Sequence, residues 1–316
     1  HQQYGFAHAE VNAINAVKNK HMLKGSTLYV NLEPCSHFGK TPPCADLIIN
    51  SGIKYVVIGT IDPNTLVAGS GIQKLVSSGL DIKVGVLEKE CKELNKRFFT
   101  FHQQQRPYII LKWAQSRDFK IAPLNPHEGG TLAHTKSERL LISNDLTNRL
   151  VHKWRSEEAA ILVGTITALM DDPSLTTRSW PGKNPVRVVI DKDLKLPASL
   201  KLFDKTVRTI VFNEKKQQDD GMLSYHKLNK ENNTLLQIMA TLYTQQVQSV
   251  IVEGGAKLLQ SFIDAGLWDE ARVITNTQLE VEKGLDAPVL ENKILQGEDK
   301  IESDIVSLFV KDGLKN

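Results

Sequence analysis

The sequence predicts a two-domain α/β chain. Three observations carry that expectation. The length, 316 residues, is about twice that of an ordinary domain. Short β-branched runs alternate with helical ones. A polar break, Gln103-Gln104-Gln105-Arg106-Pro107, precedes a fresh apolar run. The expected division is residues 1–102, a linker at 103–107 and a second domain at 108–316.

The elements follow in order. Residues 9–20 place Val11, Ile14 and Val17 at helical spacing, and Thr27–Leu32 reads as a short buried strand. Pro42–Ser51 reads as a helix with proline in its first turn and Gly52 just past its end. Strand Tyr55–Gly59, helix Ile72–Ser78, strand Ile82–Val86 and a polar helix from Glu88 to Phe101 complete the first domain. Beyond the break, a strand at Tyr108–Trp113 is followed by a Pro- and Gly-rich loop at Pro123–Thr135, long enough for a lid or an insertion. The alternation then resumes with helix Asp145–Trp154 and strands Ala160–Val163, Val186–Ile190 and Thr209–Phe212. Helix Thr234–Gln245, strand Ser249–Val252 and helix Ala256–Asp264 end the pattern.

Composition narrows the class. Lys+Arg 39 against Asp+Glu 36 leaves a net charge of +3 with no long basic run, which argues against a nucleic-acid groove. No stretch reaches the roughly 18 consecutive apolar residues of a membrane helix. Three cysteines do not make a disulfide framework. They suit a reducing, cytoplasmic compartment and a role in metal binding or packing.

Two local clusters point to zinc chemistry: His8-Ala9-Glu10 opening a helix, and Pro34-Cys35 followed by Cys44 in the first turn of the next helix. Catalytic zinc takes three protein ligands and leaves a fourth position open, and His8, Cys35 and Cys44 meet that count. A helix start favours the thiolate that zinc needs. Glu10 is too near His8 in sequence to share its helix face at i+3 or i+4, but converges with it if His8 caps the helix. In zinc deaminases a carboxylate that is not a ligand moves the proton from water to the leaving amine, and Glu10 fits that role. A structural zinc would want a fourth ligand, for which His37 is available, and would not need Glu10. Cys91 carries no expected function.

The run Pro34-Cys35-Ser36-His37-Phe38-Gly39-Lys40-Thr41-Pro42-Pro43-Cys44 is narrower than a general deaminase signature, whose cysteines are usually two residues apart. With Asp62-Pro63-Asn64 and Val67-Ala68-Gly69-Ser70-Gly71 downstream, it closely resembles the bifunctional deaminase/reductase family of riboflavin biosynthesis. The resemblance implies a cytidine-deaminase-like αβα domain followed by a dihydrofolate-reductase-like α/β domain. It also implies a helix and two strands ahead of His8, before the first residue of the sequence. The implied reactions are zinc-dependent deamination of a phosphoribosylaminopyrimidine and NADPH-dependent reduction of its ribosyl group to ribityl. His37 and Lys40 fall at deaminase substrate positions, where a hydrogen-bonding group and a cation suit a phosphate-bearing pyrimidine.

For the second domain the resemblance places Arg155, Leu175, Arg178 and Glu253 at substrate positions. It places Ala114, Thr167, Asp171, Gly254 and Gly255 at cofactor positions. Glycines after strand Ser249–Val252 let backbone N–H groups approach a dinucleotide pyrophosphate at a helix start, although a Gly-Gly pair also suits a plain tight turn. Two arginines suit a phosphate, which guanidinium groups grip in two-pronged fashion. Phe119 stands where the family pattern has glycine in Ser116-Arg117-Asp118-Phe119, which is expected to alter that turn. Leu141 stands for a usual tryptophan. The implied assembly is a homo-oligomer acting on a small molecule. Two other readings remain open on the residues alone. One is a nucleobase deaminase acting on RNA with a C-terminal binding module; the other is a reductase carried by a non-catalytic structural zinc domain.

Overall fold

A computed structural model describes residues 7–38, 42–64, 68–124 and 140–313. Lys40, Val67 and most of the Pro123–Thr135 loop lie outside the described residues. The chain divides into two compact units, His1–Gln105 and Arg106–Asn316.

The first unit is a parallel three-stranded sheet, β1 (Thr27–Leu32), β2 (Tyr55–Thr60) and β3 (Asp81–Val84), in the order β1-β2-β3. Among the described residues, five α-helices accompany it: α1 (Ala9–Ala16), α2 (Cys44–Asn50), α3 (Ser70–Ser77), α4 (Glu88–Leu94) and α5 (Lys96–Gln104). Ile14, Ala45, Ile48, Val56, Ile58 and Leu75 form its core.

Four expectations need correction here. β1 is not a buried strand. Among the described residues it is the outer strand of its sheet, and it alternates exposed and half-buried residues, with Tyr29 exposed. α1 stops at Ala16, and the Lys20 ammonium caps its end by donating to the carbonyls of Ile14 and Asn15. The helix expected from Glu88 to Phe101 is two helices, because the Asn95 side chain donates to the Cys91 carbonyl at 2.8 Å and closes the first. α5 continues through Gln104, so the start of the expected linker is helical.

The second unit is built on a ten-stranded sheet. Its parallel strands are β4 (Tyr108–Ser116), β6 (Ala160–Gly164), β7 (Val186–Ile190), β8 (Thr209–Asn213), β10 (Leu223–Lys227), β11 (Ser249–Val252) and β12 (Glu270–Asn276). β9 (Gln218–Asp219), β14 (Lys293–Ile301) and β15 (Asp304–Lys311) join antiparallel, giving the order β14-β15-β12-β4-β11-β6-β7-β8-β10-β9. A small ribbon pairs β5 (Lys120–Pro123) with β13 (Gly284–Asp286). The helices are α6 (Asp145–Glu157), α7 (Thr165–Asp171), α8 (Thr234–Thr244) and α9 (Ala256–Asp264).

Residues of β4 alternate between two apolar clusters, Ile109, Leu111 and Trp113 in one, Tyr108 and Ile110 in the other. A parallel sheet covered on both faces requires this double burial. The Phe119 turn is not relaxed by its bulky residue. Phe119 sits at φ +60° and donates to the Ser116 carbonyl at 3.0 Å, while Asp118 accepts from the Ser116 hydroxyl and from the amides of Val281 and Glu282. The backbone thus keeps a conformation suited to glycine, and an exposed phenylalanine bears the strain.

Candidate functional site

Three elements of the first unit bring the zinc-type residues together. His8 is the N-cap of α1 and Glu10 lies in its first turn. Cys35 follows β1 through Glu33-Pro34, and Cys44 is the first residue of α2. His8 Nδ1 lies 3.5 Å from Cys35 Sγ and 3.3 Å from Cys44 Sγ. All three donor atoms fall within 4.8 Å of one another. Tetrahedral zinc places a sulfur and a nitrogen ligand roughly 3.6 Å apart, so the donor set fits that ion. Among the described residues, the candidate metal group is His8, Cys35 and Cys44, without His37. Three ligands leave the open position of a catalytic centre, where a structural site would be closed.

The two sulfurs are electrostatically unequal. The Cys35 thiol is lowered to about 6, first by the hydrogen bond from the Cys44 side chain; burial opposes this, while the Cys44 amide and His8 assist. The same bond, burial and the Glu10 carboxylate push Cys44 up. Two close sulfurs share one proton in this way, and a divalent ion that displaces it holds both as thiolates. The Cys44 amide donates to Cys35 Sγ at 3.3 Å, and the Ala45 amide donates to the Cys35 carbonyl at 3.0 Å. Glu10 is half-buried and outside the candidate metal group, and its charge acts on both sulfurs. His37 is exposed and close enough to Asp62 for its charge to act there; burial pushes the Asp62 carboxyl up, and His102 and His37 oppose the shift.

In the second unit, the turns after β6 and β11 lie side by side, and the Gly164 amide donates to the Gly254 carbonyl at 3.0 Å. Gly254 takes φ +119°, and Gly255 is the N-cap of α9. A Cβ placed on Gly255 would lie 3.1 Å from Thr167 Oγ1, so the threonine hydroxyl closes over the glycine pair. Thr167 and Asp171 share α7. Ala114 is half-buried in the carboxyl half of β4.

Arg155 and Glu253 form a two-pronged ion pair: Nε donates to Oε1 at 2.8 Å and Nη2 to Oε2 at 2.6 Å, while Nη1 donates to the Thr176 carbonyl at 3.3 Å. The Arg155 fork is thereby directed at a carboxylate and a carbonyl, which orients Glu253. Arg178 is exposed nearby, close enough for its charge to act on His152. Leu175 has φ +51° and a side chain buried in the apolar cluster with Trp154 and Val151, so its main chain is what it can present to a ligand.

Three residues beside these sites escaped the sequence reading. Lys112, a cation in the apolar run of β4, acts electrostatically on Glu253. His152 is buried one helical turn before Arg155, and the charges of Arg155 and Arg178 act on its ring. Glu33 accepts amides from a distant loop. Only Lys112 carried a sequence signal, a charge breaking an apolar strand.

Residues 1–60 match the cytidine and deoxycytidylate deaminase zinc-binding region, and residues 107–278 match the RibD C-terminal domain. The riboflavin biosynthesis protein RibD of Aquifex aeolicus is 42% identical over 274 residues, covering 85% of this chain and 73% of that protein. The RibD of Escherichia coli is 33% identical over 287 residues, covering 85% and 75%. The chain belongs to the RibD family. Its fold is likewise similar to a crystal structure of a diaminohydroxyphosphoribosylaminopyrimidine deaminase/5-amino-6-(5-phosphoribosylamino)uracil reductase from Thermotoga maritima. That structure has a TM-score of 0.84 at 35% identity and covers 98% of this chain and 86% of its own. This RibD-family chain therefore joins a cytidine-deaminase-like domain to a dihydrofolate-reductase-like domain. It is a riboflavin-biosynthesis enzyme with a zinc-binding deaminase part, a hydrolase, and an NADPH-using reductase part, an oxidoreductase. Among the described residues, no helix is long and apolar enough to cross a membrane.

Proposed function

We propose that residues 1–102 deaminate a diaminohydroxyphosphoribosylaminopyrimidine and that residues 108–316 reduce the resulting 5-amino-6-(5-phosphoribosylamino)uracil to its ribityl form, the pair of activities named for the Thermotoga protein. The convergence of His8, Cys35 and Cys44 on one point, with Glu10 at its side, carries the reading. Zinc held there supplies Lewis-acid chemistry, lowering the pKa of water to near 7. Glu10 takes the proton released by the attacking water and delivers it to the departing amine. His37 and Lys40 bind the pyrimidine and its phosphate.

In the reductase, NADPH supplies the hydride. Gly254 and Gly255 admit its pyrophosphate to the start of α9, with Thr167, Asp171 and Ala114 lining the same edge of the sheet. Glu253, oriented by Arg155, and the main chain of Leu175 bind the substrate, and Arg178 takes its phosphate. The three cysteines and the need for NADPH suit the cytoplasm. A homo-oligomer is supported by β14, an outer strand exposing Ile294 and Leu295.

The deciding experiment supplies the phosphoribosylamino pyrimidine to the zinc-loaded protein, with and without NADPH. Ammonia release should need no NADPH, and NADPH oxidation should appear only once deaminated product is present. Zinc bound with no ammonia released would leave the reductase alone.

A further inference from the structure

Glu33 is a buried carboxylate two residues before Cys35. It is not in the candidate metal group. Its Oε2 accepts from the amides of Asp62 at 3.1 Å and Gly69 at 2.9 Å. Its Oε1 accepts from the amides of Gly71 at 2.9 Å and Ile72 at 3.2 Å. A carboxylate offers about four acceptor sites, and these four amides fill them. Gly69, Gly71 and Ile72 are the N-cap and first-turn residues of α3, whose own cap, glycine, has no side chain to receive those amides. Glu33 therefore caps α3 from a distance, with its negative charge at the positive end of the helix.

Two further contacts close the same joint. Ser36 and Ser70 hydroxyls lie 2.7 Å apart. A Cβ on Gly71 would lie 2.0 Å from the Pro34 carbonyl oxygen, so the start of α3 is pressed against the residue preceding Cys35. From Glu33 to Ser36, the segment carrying a candidate metal-binding sulfur is clamped to Asp62 and to the start of α3 on both sides of that sulfur.

We infer that Glu33 is a positioning residue of the deaminase centre, fixing the Cys35 sulfur, Asp62 and the start of α3 in one rigid relation. The inference rests on the proposed reading of His8, Cys35 and Cys44 as the metal site. Substitution by glutamine keeps the shape but turns one acceptor oxygen into a donor facing two amide donors, so half of the clamp is lost.

The test is made on the full chain, on wild type, Glu33→Gln, Glu33→Asp and Ser70→Ala. In the metal-free protein, Glu33→Gln should speed hydrogen exchange of the Gly69, Gly71 and Ile72 amides at least tenfold. With cobalt(II) in place of zinc, its thiolate-to-metal absorption band should shift. The zinc form should lose at least tenfold in kcat for ammonia release, with KM changed less and NADPH-dependent reduction unaltered. Glu33→Asp, which keeps the charge, should recover part of the loss. Ser70→Ala, which removes one contact of the joint and leaves the Glu33 carboxylate in place, should shift the cobalt band in the same sense. An unshifted band and wild-type kcat in Glu33→Gln would overturn the inference. So would Glu33→Gln failing to hold metal while Ser70→Ala behaves as wild type. If wild type binds cobalt but releases no ammonia, the proposed activity fails; the band and the amide exchange then still decide the role of Glu33.

Discussion

The Arg155 guanidinium and the Glu253 carboxylate, 98 residues apart in sequence, meet through two parallel hydrogen bonds of 2.8 and 2.6 Å. Both side chains are largely buried, at 13% and 7% exposure. Burial alone would raise the Glu253 carboxyl, but the guanidinium outweighs it and holds the group at about 2. Breaking such a buried pair from one side leaves an uncompensated charge, which costs about 3–5 kcal/mol. Arg155→Ala and Glu253→Ala should each destabilise the protein by that order. The double variant should lose less than their sum, as read by urea unfolding in a double-mutant cycle.

Acid should weaken the fold in two stages. Burial lowers the imidazoles of His102, His152 and His226, the last two with help from nearby arginines. A base lowered on folding adds no cost above its unfolded pKa of about 6.5, and the fold loses stability as pH falls from there towards the folded value, because the unfolded chain takes up the proton first. Glu253 and Asp204, each held at about 2, act in the next window. Their contribution is complete above about pH 4.5 and is lost as pH falls towards 2. Unfolding free energy followed from pH 7 to 3 should decline in both ranges, and His152→Asn should flatten the first. A profile flat between pH 6.5 and 5 would contradict the burial of these rings.

Glu10→Gln should retain about one zinc per chain and lose ammonia release by 10²–10⁴-fold, the usual contribution of a positioned proton carrier. Its NADPH-dependent reduction should be unchanged. Loss of zinc in the same variant would instead make Glu10 a ligand.

Chelation should separate the two activities. Dialysis against a zinc chelator should abolish ammonia release and leave NADPH oxidation on deaminated substrate intact, with zinc restoring the first. If both activities vanish together, the reductase fold depends on the metal.

Gly255→Ala should raise the KM for NADPH about tenfold with little change in the KM for substrate, since its methyl group would press on Thr167 Oγ1. Adding Thr167→Ala should relieve part of that defect. Gly254→Ala adds a side chain at φ +119° and should cost roughly 1–3 kcal/mol in stability as well.

The candidate metal group was legible because each cluster is local: a helix start, a strand end and a second helix start carry His8, Cys35 and Cys44 on short, recognisable runs. The central strands of the second unit were legible for a related reason, since strands buried on both faces read as unbroken apolar runs. What escaped lacks such a run. β12 hides Glu270 and Arg272 inside the fold, where they pair with each other at 2.6 Å, so buried sequence there looks polar. β14 is nearly all exposed, and its polarity reads as loop. α7 begins immediately after β6 with Thr165-Ile166-Thr167, β-branched residues that mimic a continued strand. Glu33 reaches amides 29 to 39 residues away, and main-chain partners leave no mark on residue identity.

The adjacency of Gly164 and Gly254 also ranks the loops of the second unit by how much foreign sequence they will accept. Turns leaving β6 and β11 press together on one rim of the sheet, so residues inserted there should wedge both apart and silence reduction even if the protein still folds. Gln246, exposed in the turn that enters β11, belongs to the opposite rim. A tag or partner protein spliced in at that point should leave the reductase working, which makes it the practical place to label or tether this enzyme.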